Sequence, residues 1–133
     1  MASEPVLVDT SCWIEYFNRP AEETADTVRA LILSDQAVVN GLVLAELLQG
    51  ARTTKEASEL GYALGAVTWV ETSREVYGRA GELGFQLRRR GVTVPVTDCV
   101  IAASSETIGG RMLTLDAHFE DIARVGSITL LPA

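Results

Sequence analysis

Short apolar runs alternate with longer stretches of helical periodicity along the chain. "VLVD" (6–9), "AVVN" (37–40), "VTWV" (67–70), "MLTL" (112–115) and "SITLL" (127–131) read as strands. They are short and mostly apolar, as expected of strands covered on both faces of a mostly parallel sheet. Between them the pattern predicts helices over 11–18, 22–34, 43–51, 55–64, 73–90, 98–108 and 117–124. "RRRG" and "IGG" supply helix stops, and "VTD" after Pro95 supplies a start with Thr97 as the expected N-cap. No linker, repeat or low-complexity segment interrupts the alternation, so residues 1–133 read as a single α/β domain. In open α/β sheets the ligand site lies outside the carboxyl ends of the strands, near the point where strand order reverses.

Two acids stand at such ends: Asp9 closes "VLVD" and Asp116 follows "MLTL". Each is also a good helix N-cap, so neither carries a function alone. Asp98 in "VPVTDCVIAASSE" falls in a first helical turn, and its i+3 and i+4 neighbours, Ile101 and Ala102, turn it toward the apolar side. Glu46 in "GLVLAELLQG" is the hardest to excuse structurally. Its helical neighbours are Leu42, Val43, Gln49 and Gly50, which predicts burial, and the nearest cation, Arg52, is six residues away on another helical face. An unpaired buried carboxylate costs several kcal/mol by the usual transfer arguments. Convergence of the four acids around a hard divalent cation relieves both their mutual repulsion and their burial. The single histidine, His118, is expected to pack or cap locally, and no cysteine pair has zinc-ligand spacing, so Mg²⁺ or Mn²⁺ is the natural ion. Such a cluster suits phosphodiester hydrolysis. Thr10, Ser11 and Thr114 lie beside the acids as auxiliary polar groups, with capping or strand propensity as the plain alternative for each.

Composition changes this picture little. At 133 residues the chain is long enough to bury a core without disulfides, and its 47% hydrophobic content includes no run long enough to span a bilayer. The start "MASEPVLVD" has no basic segment ahead of an apolar core, so no export signal is read and the cytoplasm is expected. Cys12 and Cys99 read as small reduced core residues. The net charge, 11 cations minus 18 acids, is −7, which argues against broad binding of nucleic acid through a basic surface. Setting aside four acids neutralised by metal leaves −3, and "RRRG" at 88–91 concentrates the cations locally. That cluster is either the solvated last turn of a helix or a contact for an RNA backbone. In "SCWIEYFN", Trp13, Ile14, Tyr16 and Phe17 cover more of the helix than one core-facing stripe needs, so part of that surface is expected to be exposed.

"VLVDTSCWIEYF", "LVLAELLQGAR", "VPVTDCVIAAS" and "LTLDAHFEDIARV" resemble, in order, the four motifs of PIN-domain ribonucleases, specifically the VapC toxins of bacterial toxin–antitoxin pairs. The resemblance covers nearly the whole chain. It implies a PIN-like three-layer α/β fold with a central five-stranded parallel sheet, order 3-2-1-4-5, flanked by helices. It also implies a metal-binding site of Asp9, Glu46, Asp98 and Asp116, bound Mg²⁺ or Mn²⁺, endonucleolytic cleavage of RNA and inhibition of translation, with Glu120 or Asp121 able to assist. Unpaired loops are the expected targets. The further implication is a cognate antitoxin lying along the helix of Trp13 and Phe17 and placing an Arg or Lys among the acids, together with a homodimer. The rivals are a non-catalytic PIN-like scaffold and a Mg²⁺-dependent phosphatase with an aspartyl nucleophile, a class that usually needs a second Asp two residues beyond Asp9, where this chain has Ser11. A receiver domain and a glycine-rich nucleotide-binding module fit worse.

Overall fold

The computed structural model describes residues 4–133. Strands β1 (Val6–Val8), β2 (Ala37–Val39), β3 (Thr68–Trp69), β4 (Arg111–Leu113) and β5 (Thr129–Leu130) form one sheet in the order β3-β2-β1-β4-β5. Every pairing is parallel, and Leu7 of the central strand stands opposite Val38 on one side and Met112 on the other. Seven helices connect them: α1 (Thr10–Asn18), α2 (Glu23–Leu33), α3 (Gly41–Gln49), α4 (Thr54–Gly65), α5 (Arg74–Arg89), α6 (Val96–Glu106) and α7 (His118–Ala123).

The chain leaves β1 toward β2 and β3, then crosses back to β4 and β5 on the other side. Right-handed crossovers in opposite directions place α1–α4 on one face of the sheet and α5–α7 on the other. The packing follows this division, with α1 against α2 and α3, α3 against α4, and α5, α6 and α7 against one another. Both faces are therefore covered, and all residues of β1 and β2 are buried, which is why these runs show no polar alternation. The reversal of strand order falls between β1 and β4.

The strands are shorter than the apolar runs suggest, because Asp9 and Asn40 already act as the N-cap residues of α1 and α3. Thr97 is not the cap of α6. Pro95, at φ −59°, occupies that position and its carbonyl accepts from the N–H groups of Asp98 (3.1 Å) and Cys99 (3.3 Å). The proline ring presets the helical φ, so the helix starts earlier than a threonine cap would allow. The glycine stops hold: Gly91, at φ +79°, follows α5, and Gly109 and Gly110, at +105° and +80°, follow α6. A side chain at Gly110 would also collide with the Ser127 carbonyl. Cys12 and Cys99 are buried and free. Among the described residues no helix is long and apolar enough to cross a membrane. The export-signal reading rests partly on residues 1–3, which lie outside the described residues.

Candidate active site

Asp9 caps α1 by position only. Its side chain accepts from no backbone N–H of the helix, and Oδ2 instead accepts from the hydroxyls Ser11 Oγ and Thr114 Oγ1, both at 2.9 Å. Those hydroxyls are themselves held. Ser11 Oγ accepts from the Leu115 N–H at 2.9 Å, and Thr114 Oγ1 from the Asp116 N–H at 3.0 Å. The exit of β4 and the start of α1 are thus tied around one carboxylate oxygen, while Oδ1 finds no hydrogen-bond donor among the described residues. Asp9 is only 4% exposed, and this oxygen stays open to water or a cation.

Asp98, in the first turn of α6 and 8% exposed, faces the same place. Its carboxyl is pushed up to about 6, chiefly by burial, with a hydrogen bond from His118 opposing and the charges of Asp116 and Asp9 adding. His118 Nδ1 lies 3.0 Å from Asp98 Oδ2 and 3.2 Å from Asp116 Oδ1. The bond to Asp98 holds the imidazole above its usual value. Asp116 is not the N-cap of α7, a position Ala117 takes, but its Oδ1 accepts from the His118 N–H at 2.9 Å, a local turn bond that coexists with its place in the cluster. One candidate ligand atom from each of Asp98, Asp116 and His118 falls within 4.8 Å of the others.

Of the four expected acids, Asp98 and Asp116 come together with His118 at the reversal between β1 and β4, and Asp9 adjoins them through Thr114 Oγ1, which donates to Asp9 and accepts from the Asp116 N–H. Glu46 stands outside this group, bonded to Thr10, the residue after Asp9. It is half-buried rather than buried, because α3 turns only Val43 and Leu47 fully into the core while Ala45, Leu48 and Gln49 meet solvent. No cation pairs with it among the described residues; Thr10 Oγ1 donates to its Oε1 at 2.8 Å. Glu46 also lines a groove of about 320 Å³ with Ile14, Phe17, Leu47, Glu56 and Leu60, between α1, α3 and α4. Trp13 does not belong to that surface. It is 1% exposed, stacked on Phe17 at 6.0 Å and edge-on to Tyr16 at 5.9 Å, because α1 is wedged between α2, α3 and the sheet. Glu120 is exposed and Asp121 pairs with Arg124 at 3.4 Å, so neither reaches the cluster.

The PIN domain family model matches residues 6–125. Ribonuclease VapC11 of Mycobacterium tuberculosis is 30% identical over 127 residues, spanning 92% of this chain and 95% of that protein. A VapC ribonuclease of Mycobacterium bovis matches to the same extent. This chain belongs to the VapC family of PIN-domain proteins. Among solved structures, VapBC2 from Rickettsia felis bound to a fragment of promoter DNA superposes with a TM-score of 0.78 at 19% identity, over 95% of this chain and 96% of that one. VapC20 of Mycobacterium tuberculosis, described as a toxin cleaving the sarcin-ricin loop, gives 0.66 at 18% identity over 96% and 99%. At such identities the two structures establish the shared fold.

In this PIN domain the donor set fits a hard divalent cation: three carboxylates, one with a free oxygen and one with a raised pKa, and no lysine or arginine paired to them among the described residues. Two further residues of this region were not singled out as site residues by sequence reasoning. His118 was expected to act locally, yet it joins acids from two elements that approach only in the fold. Asn40, fully buried, accepts from the Val43 N–H at 3.0 Å and donates to Ser104 Oγ at 3.2 Å, tying the start of α3 to the helix that carries Asp98. An asparagine directly before Gly41 at the end of a strand was the available signal for the cap.

Proposed function

We propose that this PIN domain is a Mg²⁺- or Mn²⁺-dependent endoribonuclease toxin of the cytoplasm, cutting RNA at unpaired loops, inhibiting translation and silenced by a cognate antitoxin. The observation that carries this reading is the grouping of Asp98, Asp116 and His118 within ligand reach of one another, beside buried Asp9, with no lysine or arginine paired to these acids among the described residues. Asp9, Asp98 and Asp116 would hold the ion, with Glu46 at the rim; when bound, it supplies a countercharge for the phosphate and lowers the pKa of the attacking water. Ser11 and Thr114 fix the Asp9 carboxylate by one oxygen and leave the other for binding. His118, half-exposed, holds a proton at Nδ1 between Asp98 and Asp116 and can exchange it with solvent. Hydrolysis adds water to phosphorus and breaks one P–O bond, so the chain must accept one proton and return one to the leaving ribose oxygen. Two unpaired buried cysteines suit a reducing compartment.

The antitoxin reading rests on the groove of Ile14, Phe17, Leu47 and Leu60, flanked by Glu46, Glu56 and Glu59. Apolar walls beside three acids suit a basic amphipathic segment. Such a segment reaches the cluster at Glu46, and a guanidinium there would compete with the ion for the same carboxylates. Phe17 and Ile14 take the anchoring role that buried Trp13 does not offer.

Cleavage of loop-bearing RNA, with and without EDTA, tests the activity, and thermal melts with Mn²⁺ test the ion directly. Saturating Mn²⁺ at about a hundredfold over its Kd should stabilise the chain by about 2.7 kcal/mol, and Asp9→Asn should abolish most of that gain. Full cleavage in excess EDTA, or an equal Mn²⁺ shift in Asp9→Asn, would refute the metal mechanism.

A further inference from the structure

A second groove, of about 610 Å³, runs between α5 and the segment entering α6, lined by Gly81, Gly84, Phe85, Arg88, Val96 and Cys99. Its apolar rims are open to solvent: Phe85 is 61% exposed and Val96 66%. Gly81 would bring a side chain within 4 Å of nothing, and at Gly84 the nearest atom is Cys99 Sγ at 3.7 Å, so the floor is bare because side chains are missing and not because neighbours fill it.

The end of this groove carries the densest positive charge of the molecule. Of the 11 cations, Arg19, Arg29, Lys55, Arg79, Arg111 and Arg124 each pair with a carboxylate. The other five pair with none among the described residues: Arg52 and Arg74 stand apart, whereas Arg88, Arg89 and Arg90 are consecutive at the C-terminal end of α5. Arg89 lies over the Phe85 ring at 5.8 Å. An exposed aromatic face, a slot beside it and unpaired guanidiniums around it form the combination that holds an unpaired nucleotide, with the base on the ring and the phosphate on arginine. The position suits a substrate contact. Val96 and Cys99 line the slot from one face of the first turn of α6, while Asp98, on another face of that turn, points to His118 and Asp116.

We propose that this groove binds one unpaired base of the RNA on Phe85, with Arg88 and Arg89 on the adjoining phosphates, and so holds the strand along the helix whose first turn carries Asp98. This rests on the ribonuclease reading and names its substrate-positioning surface. The competing occupant of an apolar, arginine-rimmed face is a second copy of the chain.

The test measures binding apart from cleavage. Affinity of the wild-type chain for a fluorescein-labelled single-stranded oligoadenylate is read in EDTA at low salt, beside Phe85→Ala, Phe85→Trp, Arg88→Ala and, as a control on the far α4 surface, Tyr62→Ala. Phe85→Ala should weaken binding roughly tenfold while Phe85→Trp retains it. Arg88→Ala should reduce the slope of log affinity against log salt by about 0.7, the single-strand value for one phosphate contact. Tyr62→Ala should change nothing. Unaltered affinity in Phe85→Ala and Arg88→Ala overturns the proposal, as does absence of binding by the wild type. A fall in oligomeric mass with affinity unchanged also overturns it and assigns the face to self-association. If the wild type cleaves RNA with Mg²⁺ while these variants bind normally, the groove assignment fails and the nuclease reading stands. If it binds through Phe85 but cleaves nothing, the reverse holds.

Discussion

Helix α6 carries a carboxylate at each end, and the two are treated oppositely. Asp98, in the first turn, should be favoured as an anion by the helix dipole, and Glu106, in the last turn, disfavoured. The pKa shifts run the other way. Asp98 is pushed up to about 6, whereas Glu106 is held below the usual glutamate range. The cause is what surrounds them. Glu106 receives Arg79 through both oxygens, at 2.7 and 3.1 Å, and the Ser127 N–H, so its charge is matched by a bidentate fork and a backbone donor. Asp98 has burial, two other acids and one half-exposed histidine. A carboxylate that serves the fold is compensated within the chain. One left uncompensated at the same depth marks where something from outside is meant to supply the charge.

The widest separation of the two should come from the amide variants. Asp98→Asn should lower RNA cleavage on the order of a hundredfold or more, while leaving the metal-free chain as stable as the wild type or more so, since it removes repulsion. Glu106→Gln should do the converse: a loss of about 2 kcal/mol in urea denaturation, because Arg79 and the Ser127 N–H lose an anionic partner, with cleavage per folded molecule retained. Destabilisation of metal-free Asp98→Asn by a similar amount would erase the distinction and make Asp98 a structural acid.

A smaller effect follows from pH. The Glu106 carboxyl titrates lower in the folded chain than in the unfolded one, whose value is 4.5. Its contribution is therefore complete above that value and is lost as pH falls through the folded pKa. Stability of the wild type should decline on acidification below about pH 4.5 more steeply than that of Glu106→Gln, read by urea titration in EDTA at stepped pH. Parallel curves would mean that the Arg79 pair is worth no more than a surface contact.

Strand ends and helix faces were readable because they depend on neighbours a few residues apart. The apolar runs located all five strands, Asp9 and Asp116 stood at their ends, and the i+3 and i+4 neighbours of Asp98 correctly turned it inward. Strand order was different: it came from resemblance to a family, since periodicity does not say which strands pair. What stayed hidden depends on long-range approach. Arg79 and Glu106 are 27 positions apart and His118 and Asp98 are 20 apart, and no local pattern announces either contact. Trp13 was expected as a partner contact from the crowding of aromatic positions around α1, but the helix packs against both α2 and α3 and buries it to 1% exposure. Glu46 was misjudged for the opposite reason. Its sequence neighbours are apolar, yet α3 has a narrow core stripe, and the acid lies on the groove side of it.

That misjudgement makes Glu46 the finest test of the contrast between matched and unmatched acids. It belongs to neither end of the comparison: it is half-buried, has no cation, and accepts one bond, from Thr10 Oγ1 at 2.8 Å. Gln keeps an oxygen in place for that hydroxyl, so Glu46→Gln should shift metal-free stability by no more than about 0.5 kcal/mol, far less than Glu106→Gln. Its effect should appear only with ligands. A lost negative charge at the rim of the groove should weaken a basic amphipathic peptide severalfold, and should lower Mn²⁺ affinity less than Asp9→Asn does, because Asp9 adjoins Asp116 through Thr114 whereas Glu46 bonds only Thr10. Urea denaturation in EDTA, followed by titration with Mn²⁺, reads both quantities on one sample. A stability loss above about 1 kcal/mol would place Glu46 with Glu106 as an acid the fold requires, and an Mn²⁺ deficit as large as that of Asp9→Asn would place it inside the cluster.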